Sequence, residues 1–234
     1  MSRLLIHVEG ETEETFVNQI LAPHLHGFGY SAIGARLIGN SRQRSRRGGI
    51  RAWRAVRSDI VRHLKEDPGC LATTMVDYYG LPQAGDRAWP GRVQAGKTVF
   101  SKKASIVETA LKEDIQKVIG SNFNPDRFIP FVMMHEFEGL LFSDCAAFSR
   151  GIGRPELEAD FLAVRNLFSS PEEINDSPNT APSKRVASLV AGYQKPLLGT
   201  LAILEIGLET IRRECSHFND WLTRLENAQC NQHN

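Results

Sequence analysis

Acidic residues recur in this chain where short apolar runs end. Glu9 follows the run Leu4–Val8, and Glu13 lies four residues further on. Asp77 closes the run Leu71–Val76, while Glu136 and Glu138 follow Arg127–Met134. Carboxylates gathered at one place repel one another and raise each other's pKa, a cost that a hard divalent cation removes. Mg²⁺ or Mn²⁺ held this way activates water and stabilises charge on a phosphodiester. No Cys or His cluster competes as a zinc site, so oxygen ligation is the chemistry to expect. Singly, each acid has a plainer reading. Glu11, Glu13 and Glu14 suit the positive end of a helix dipole, Asp77 suits a turn, and Glu138 suits a nearby arginine. Acids at three strand ends are harder to explain that way.

The elements that would position these acids alternate. Leu4–Val8 reads as a buried strand and Glu11–Leu25 as a helix presenting Phe16, Val17, Ile20, Leu21 and Leu25 on one face, with Gly10 between them. Ala32–Ile38 is a second strand. Ile50, Trp53, Val56, Ile60, Val61 and Leu64 recur at helical spacing, with Trp53 on the apolar face. Leu71–Val76 is the third strand, and Leu81–Lys103 reads as a long loop. A helix carrying Ile106, Val107, Leu111 and Ile115 leads to a fourth strand, Arg127–Met134, where Pro130 argues for a sheet edge or a strand start. This alternation predicts an α/β fold, a Toprim- or Rossmann-like parallel sheet with helices on both faces. In such a sheet Glu9, Asp77, Glu136 and Glu138 fall together at the carboxyl edge. Beyond Phe142 there is no convincing strand. The expected division is an α/β domain over 1–142 and a helical C-terminal subdomain over 143–234, with amphipathic segments at Leu198–Arg213 and Phe218–Leu225.

With 234 residues, 41% of them hydrophobic, the chain can bury a core without metals or disulfides. No apolar run is long enough for a membrane span, and the N-terminus lacks a signal-peptide pattern, so a cytoplasmic protein without membrane contact is expected. Cys70, Cys145, Cys215 and Cys230 form no Cys-x-x-Cys pair and read as reduced thiols; Cys215 and His217 would be only half of a zinc site. The net charge of +1 conceals an asymmetry: eight arginines lie between Arg36 and Arg57 with no Asp or Glu among them. Arg42, Arg44, Arg46, Arg47 and Arg51 are the candidate contacts to a phosphate backbone. A solvated loop or a partner's acidic face would explain the same residues.

Val8-Glu9-Gly10-Glu11-Thr12-Glu13 resembles the glutamate motif of the Toprim fold, shared by topoisomerases, primases and OLD-type (overcoming-lysogenization-defect) nucleases. The chain as a whole resembles a bacterial family catalogued as domain of unknown function 4276. The segments carrying that likeness are Thr74–Pro82, His135–Asp144, and Ile174–Asp176 through Ala181–Arg185. The resemblance implies that Glu9 is a metal ligand or general acid/base, Glu13 a second acid, and Asp77 the first aspartate of Asp-x-Asp. Tyr79 stands where the second aspartate would be, which weighs against a two-metal mechanism; Glu136 or Glu138 would have to replace it. OLD-type enzymes also use a lysine, for which Lys184 and Lys195 are the candidates. The same resemblance implies a neighbouring AAA- or ABC-type ATPase in a phage-defence system, although this chain has no nucleotide-hydrolysis motif of its own.

The function expected is therefore Mg²⁺- or Mn²⁺-dependent cleavage of nucleic acid, DNA before RNA. Glu9, Glu13, Asp77, Glu136, Glu138 and Lys184 would be catalytic, with Glu9, Glu13, Asp77 and Glu136 on the metal. The alternative is a non-catalytic subunit that binds nucleic acid or regulates the ATPase.

Overall fold

The computed structural model describes residues 2–38, 49–174, 177 and 179–228. β1 (Ser2–Val8) is central, flanked by β2 (Tyr30–Leu37) and β3 (Cys70–Asp77), with β4 (Phe128–Ile129) and β5 (Val132–Met133) beyond β3. All pairings are parallel, and register places Val8 beside Met75 and Asp77 beside Met133. The first residues past β1, β3 and β5 thus emerge at one edge, as the alternation of elements requires.

The fourth strand is split where Pro130 falls, because proline brings no N–H to the ladder. Thr74 repairs the gap. Its hydroxyl donates to the carbonyl of Phe131 at 3.0 Å and accepts the Phe131 N–H at 3.1 Å. The neighbouring Thr73 hydroxyl donates to the Ile129 carbonyl. The β-branched threonines thus supply both strand propensity and the missing hydrogen bonds.

Alternation along the strands sends side chains to two cores. Leu4, Ile6, Val8, Leu71 and Met75 face α1 (Glu11–Phe16), a π-turn (Val17–Leu21) and α2 (Ala22–His26), which form one continuous helix. Ala72, Val76, Phe128 and Val132 face α3 (Trp53–Glu66) and α5 (Phe100–Ile119). Trp53 is buried in the second core, as its helical face predicts, and its indole N–H donates to Asp114. The segment 81–103, expected to be a loop, contains a 3-10 turn (Gly85–Arg87), a short helix α4 (Arg92–Ala95) and the start of α5 at Phe100. Arg92 organises it: the guanidinium lies over the Tyr78 ring, bonds its hydroxyl at 2.9 Å and donates to its carbonyl.

The region past Phe137 is helical among the described residues: α6 (Glu138–Leu141), α7 (Cys145–Gly151), α8 (Glu158–Arg165), α9 (Pro182–Leu189), α10 (Thr200–Ile206), α11 (Leu208–Glu214) and α12 (Ser216–Asn227). The long segment expected from Leu198 to Arg213 breaks at Gly207, whose φ of +77° lies in the region that favours glycine. These helices share the first core with β1: Phe148, Phe161, Ile203, Phe218 and Trp221 are buried in the same cluster as Leu4 and Ile6. Trp221 stacks on Phe131 with ring centroids 4.5 Å apart and donates its indole N–H to the Thr73 hydroxyl at 2.9 Å.

Removing that ring opens a large cavity and leaves the Thr73 hydroxyl without its donor, so Trp221→Ala should cost about 3–5 kcal/mol in urea unfolding. A loss below about 1 kcal/mol would mean that α12 does not seal this face of the sheet.

Candidate functional site

Glu9 is the first residue after β1, and its carboxylate rests against Gly80, where an added Cβ would stand 3.6 Å from both Glu9 oxygens. Glu13 sits on the first turn of α1, buried, with its carboxylate so close to Gly10 that a Cβ there would meet Oε2 at 2.9 Å. Gly10 therefore does more than turn the chain: its missing side chain leaves room for the second acid. Asp77, the last residue of β3, accepts the Phe137 N–H on Oδ1 at 3.0 Å. Glu136 accepts the Ser183 N–H at the start of α9 at 2.8 Å. Glu138, the first residue of α6, is buried, and its Oε1 has no hydrogen-bond partner among the described residues.

The lysine that meets these acids is Lys195. Its ammonium lies 3.1 Å from Glu13 Oε1, 3.3 Å from Glu138 Oε2 and 3.6 Å from Asp77 Oδ2. It begins a π-turn, Lys195–Gly199, which approaches α1 closely because Gly199 has no side chain: a Cβ there would stand 3.5 Å from Thr12 and 3.0 Å from the Tyr193 hydroxyl. Lys184 is exposed on α9, and no contact of its ammonium with the acids is found among the described residues. Of the two lysines the sequence offers, Lys184 is the one expected in the catalytic set, but the packing of the π-turn on α1 brings Lys195 to the acids instead.

Electrostatics follow from burial. The Glu9 carboxyl is pushed up to about 7, chiefly by loss of solvent, with Glu13 and Glu136 adding repulsion against the opposing pull of Lys195. Burial likewise raises Asp77 and Glu138, again opposed by Lys195. For Lys195, burial alone would favour the neutral amine, but Asp77, Glu138 and Glu13 overcome it and hold the ammonium charged. The Tyr193 phenol is raised by burial and by Glu138.

Among the described residues, no group of three or more His, Cys, Asp or Glu side chains is placed, as it stands, so that it could hold a metal ion. The positive charge at the centre of the acids belongs to Lys195. The donor set nonetheless suits a hard cation. Glu9 Oε2 and Glu138 Oε1 are buried carboxylate oxygens with no hydrogen-bond partner, and the Tyr193 and Thr200 hydroxyls are likewise unpartnered among the described residues.

Other candidates fall elsewhere. Tyr79 is half-buried and its N–H donates to the His135 carbonyl. Arg42, Arg44, Arg46 and Arg47 lie outside the described residues; Arg51 is exposed just before α3. Arg57 is committed to Asp114. Cys215 is buried with its thiol against Ser143, and His217 bonds Glu108 at 2.9 Å, so the two do not form half of a zinc site. The described cysteines, Cys70, Cys145 and Cys215, are free thiols. Among the described residues no helix is long and apolar enough to cross a membrane.

A family model described as "Domain of unknown function (DUF4276)" matches residues 8–226. No curated protein and no solved structure matches the chain.

Because the folded chain keeps Glu9 protonated up to about pH 7, whereas the unfolded chain ionises it near 4.5, this residue's contribution to stability is full below about pH 4.5 and is lost as pH rises to about 7. Glu9→Gln should remove that loss. The variant should gain on the wild type across this interval, by up to about 3 kcal/mol, and hold the difference above it. Denaturant unfolding at a series of pH values tests this, and a variant less stable than wild type at pH 8 would show that the Glu9 charge is structurally required.

Proposed function

The chain belongs to the DUF4276 family, and for this member of it we propose metal-dependent cleavage of nucleic-acid phosphodiesters. The observation that carries the reading is the convergence of Glu9, Glu13, Asp77 and Glu138 at one edge of the sheet, with buried oxygens of Glu9 and Glu138 lacking partners. These four carboxylates would hold Mg²⁺ or Mn²⁺, with Glu136 near enough to add charge to Glu9 and Glu138. When bound, the ion supplies an activated water and offsets negative charge on the phosphate. The chain's own part is to hold the acids at fixed positions. The Phe137 N–H orients Asp77, the Ser183 N–H orients Glu136, and Gly10 and Gly80 leave room for Glu13 and Glu9. Lys195 keeps a positive charge beside the acids, able to face a phosphate oxygen. In this reading the relation to Toprim and OLD-type nucleases, the ATPase partner, the phage-defence setting and a cytoplasmic location all rest on the likeness of the Glu9 and Asp77 segments and on the sequence pattern.

A second reading has its own support. Lys195 already neutralises part of the acidic charge, and Tyr79 stands where a second aspartate would be, as in a subunit that binds nucleic acid or regulates an ATPase without cutting.

Labelled DNA and RNA, incubated with Mn²⁺ or Mg²⁺ and with the ATPase where one is encoded nearby, should be cut by wild type. Glu9→Gln and Asp77→Asn should cut at least about 100-fold more slowly. In thermal melts wild type should gain stability with Mn²⁺, by about 2.7 kcal/mol at a hundred times the dissociation constant, and Glu9→Gln much less. Cleavage undiminished in both variants would remove the acids from catalysis. A wild type that neither cuts nor responds to Mn²⁺ would leave the binding-subunit reading.

A further inference from the structure

β2 is the terminal strand of the sheet and pairs only with β1 among the described residues. Near its carboxyl end lies a cavity of about 310 Å³, bordered by His7, Glu14, Arg36, Arg51, Asp59 and Arg62. Its three arginines come from three places: Arg36 from β2, Arg51 from the approach to α3, and Arg62 from α3 itself. Arg36 and Arg51 have no acidic partner among the described residues. Arg62 bonds Asp59 at 3.0 Å, but both are exposed, and such pairs are weak and readily exchanged. His7 forms a wall rather than a charge: it is buried, stacked on His63 at 5.4 Å, and burial lowers it to about 4.

The cavity is next to the acidic centre in the chain and in space. Glu14 borders it while the preceding residue, Glu13, faces Lys195; His7 borders it two residues before Glu9. We infer that this cavity is a phosphate-binding site, which seats a phosphate of the nucleic-acid strand adjoining the one at the acids. The inference rests on the polynucleotide reading of the acidic centre. Guanidinium forks match phosphate oxygens in geometry as well as charge.

The test is fluorescence anisotropy of a labelled single-stranded DNA oligonucleotide in EDTA, across a series of KCl concentrations. The double variant Arg36→Ala/Arg62→Ala should bind at least about 10-fold more weakly, with a salt slope shallower by about 0.7 for each phosphate that is no longer neutralised. Arg224→Ala, an exposed arginine on α12, should change neither, and circular dichroism melts should show all variants folded. Competition identifies the source of the phosphate. Displacement by unlabelled oligonucleotide but not by equal concentrations of inorganic phosphate or a mononucleotide assigns a strand. Displacement by the mononucleotide as well assigns a free nucleotide to the same arginines. Wild-type affinity and slope in the double variant, or no binding by wild type, overturns the site. Glu9→Gln separates this from the catalytic reading, since it should keep arginine-dependent binding while losing cleavage. If it still cleaves, catalysis at the acids fails and the phosphate site stands.

Discussion

The site depends on one constraint: several carboxylates lie close together, shielded from water, and must be balanced by positive charge. Burial raises the pKa values of Glu9, Asp77 and Glu138, and Lys195 offsets part of the cost from 3.1 to 3.6 Å away from Glu13, Glu138 and Asp77. A single ammonium does not match four acids. The unpartnered oxygens of Glu9 and Glu138 mark the remaining imbalance, which a second cation would relieve. A divalent ion and Lys195 would then divide the counter-charge between them.

Much of the fold exists to create this arrangement. Parallel strands deliver Glu9 and Asp77 to one edge, and the interrupted fourth strand delivers Glu136 and Glu138 to it as well. C-terminal segments then pack against the site. The π-turn carrying Lys195 packs on α1 through Gly199, and α12 anchors to β3 through Trp221 and Thr73. The counter-charge thus comes from the far end of the chain and reaches the acids only once both parts of the first core have packed.

What could be read from the sequence was local. Strand runs, helical periodicity and the acids that follow each run identified the sheet, its two covered faces and the carboxylates. Pro130 marked the interrupted edge strand. What could not be read depended on distant packing. Lys195 and Lys184 differ little in sequence context, yet only the first meets the acids. The short helix at Arg92–Ala95 depends on Arg92 finding the ring and carbonyl of Tyr78, which no periodicity announces. Arg36, His7 and Arg62 meet at a cavity because β2 lies at the sheet edge, a consequence of strand order rather than of composition.

The most direct test of metal binding at the acids is a crystal of the protein grown with Mn²⁺ and measured for anomalous scattering. A strong peak is expected, coordinated by oxygens of Glu9, Asp77 and Glu13 or Glu138, with the Lys195 ammonium displaced from its present position among them. An anomalous map without a peak at the acids, at Mn²⁺ concentrations well above those used in the melts, and with Lys195 still bridging Glu13 and Glu138, would contradict it.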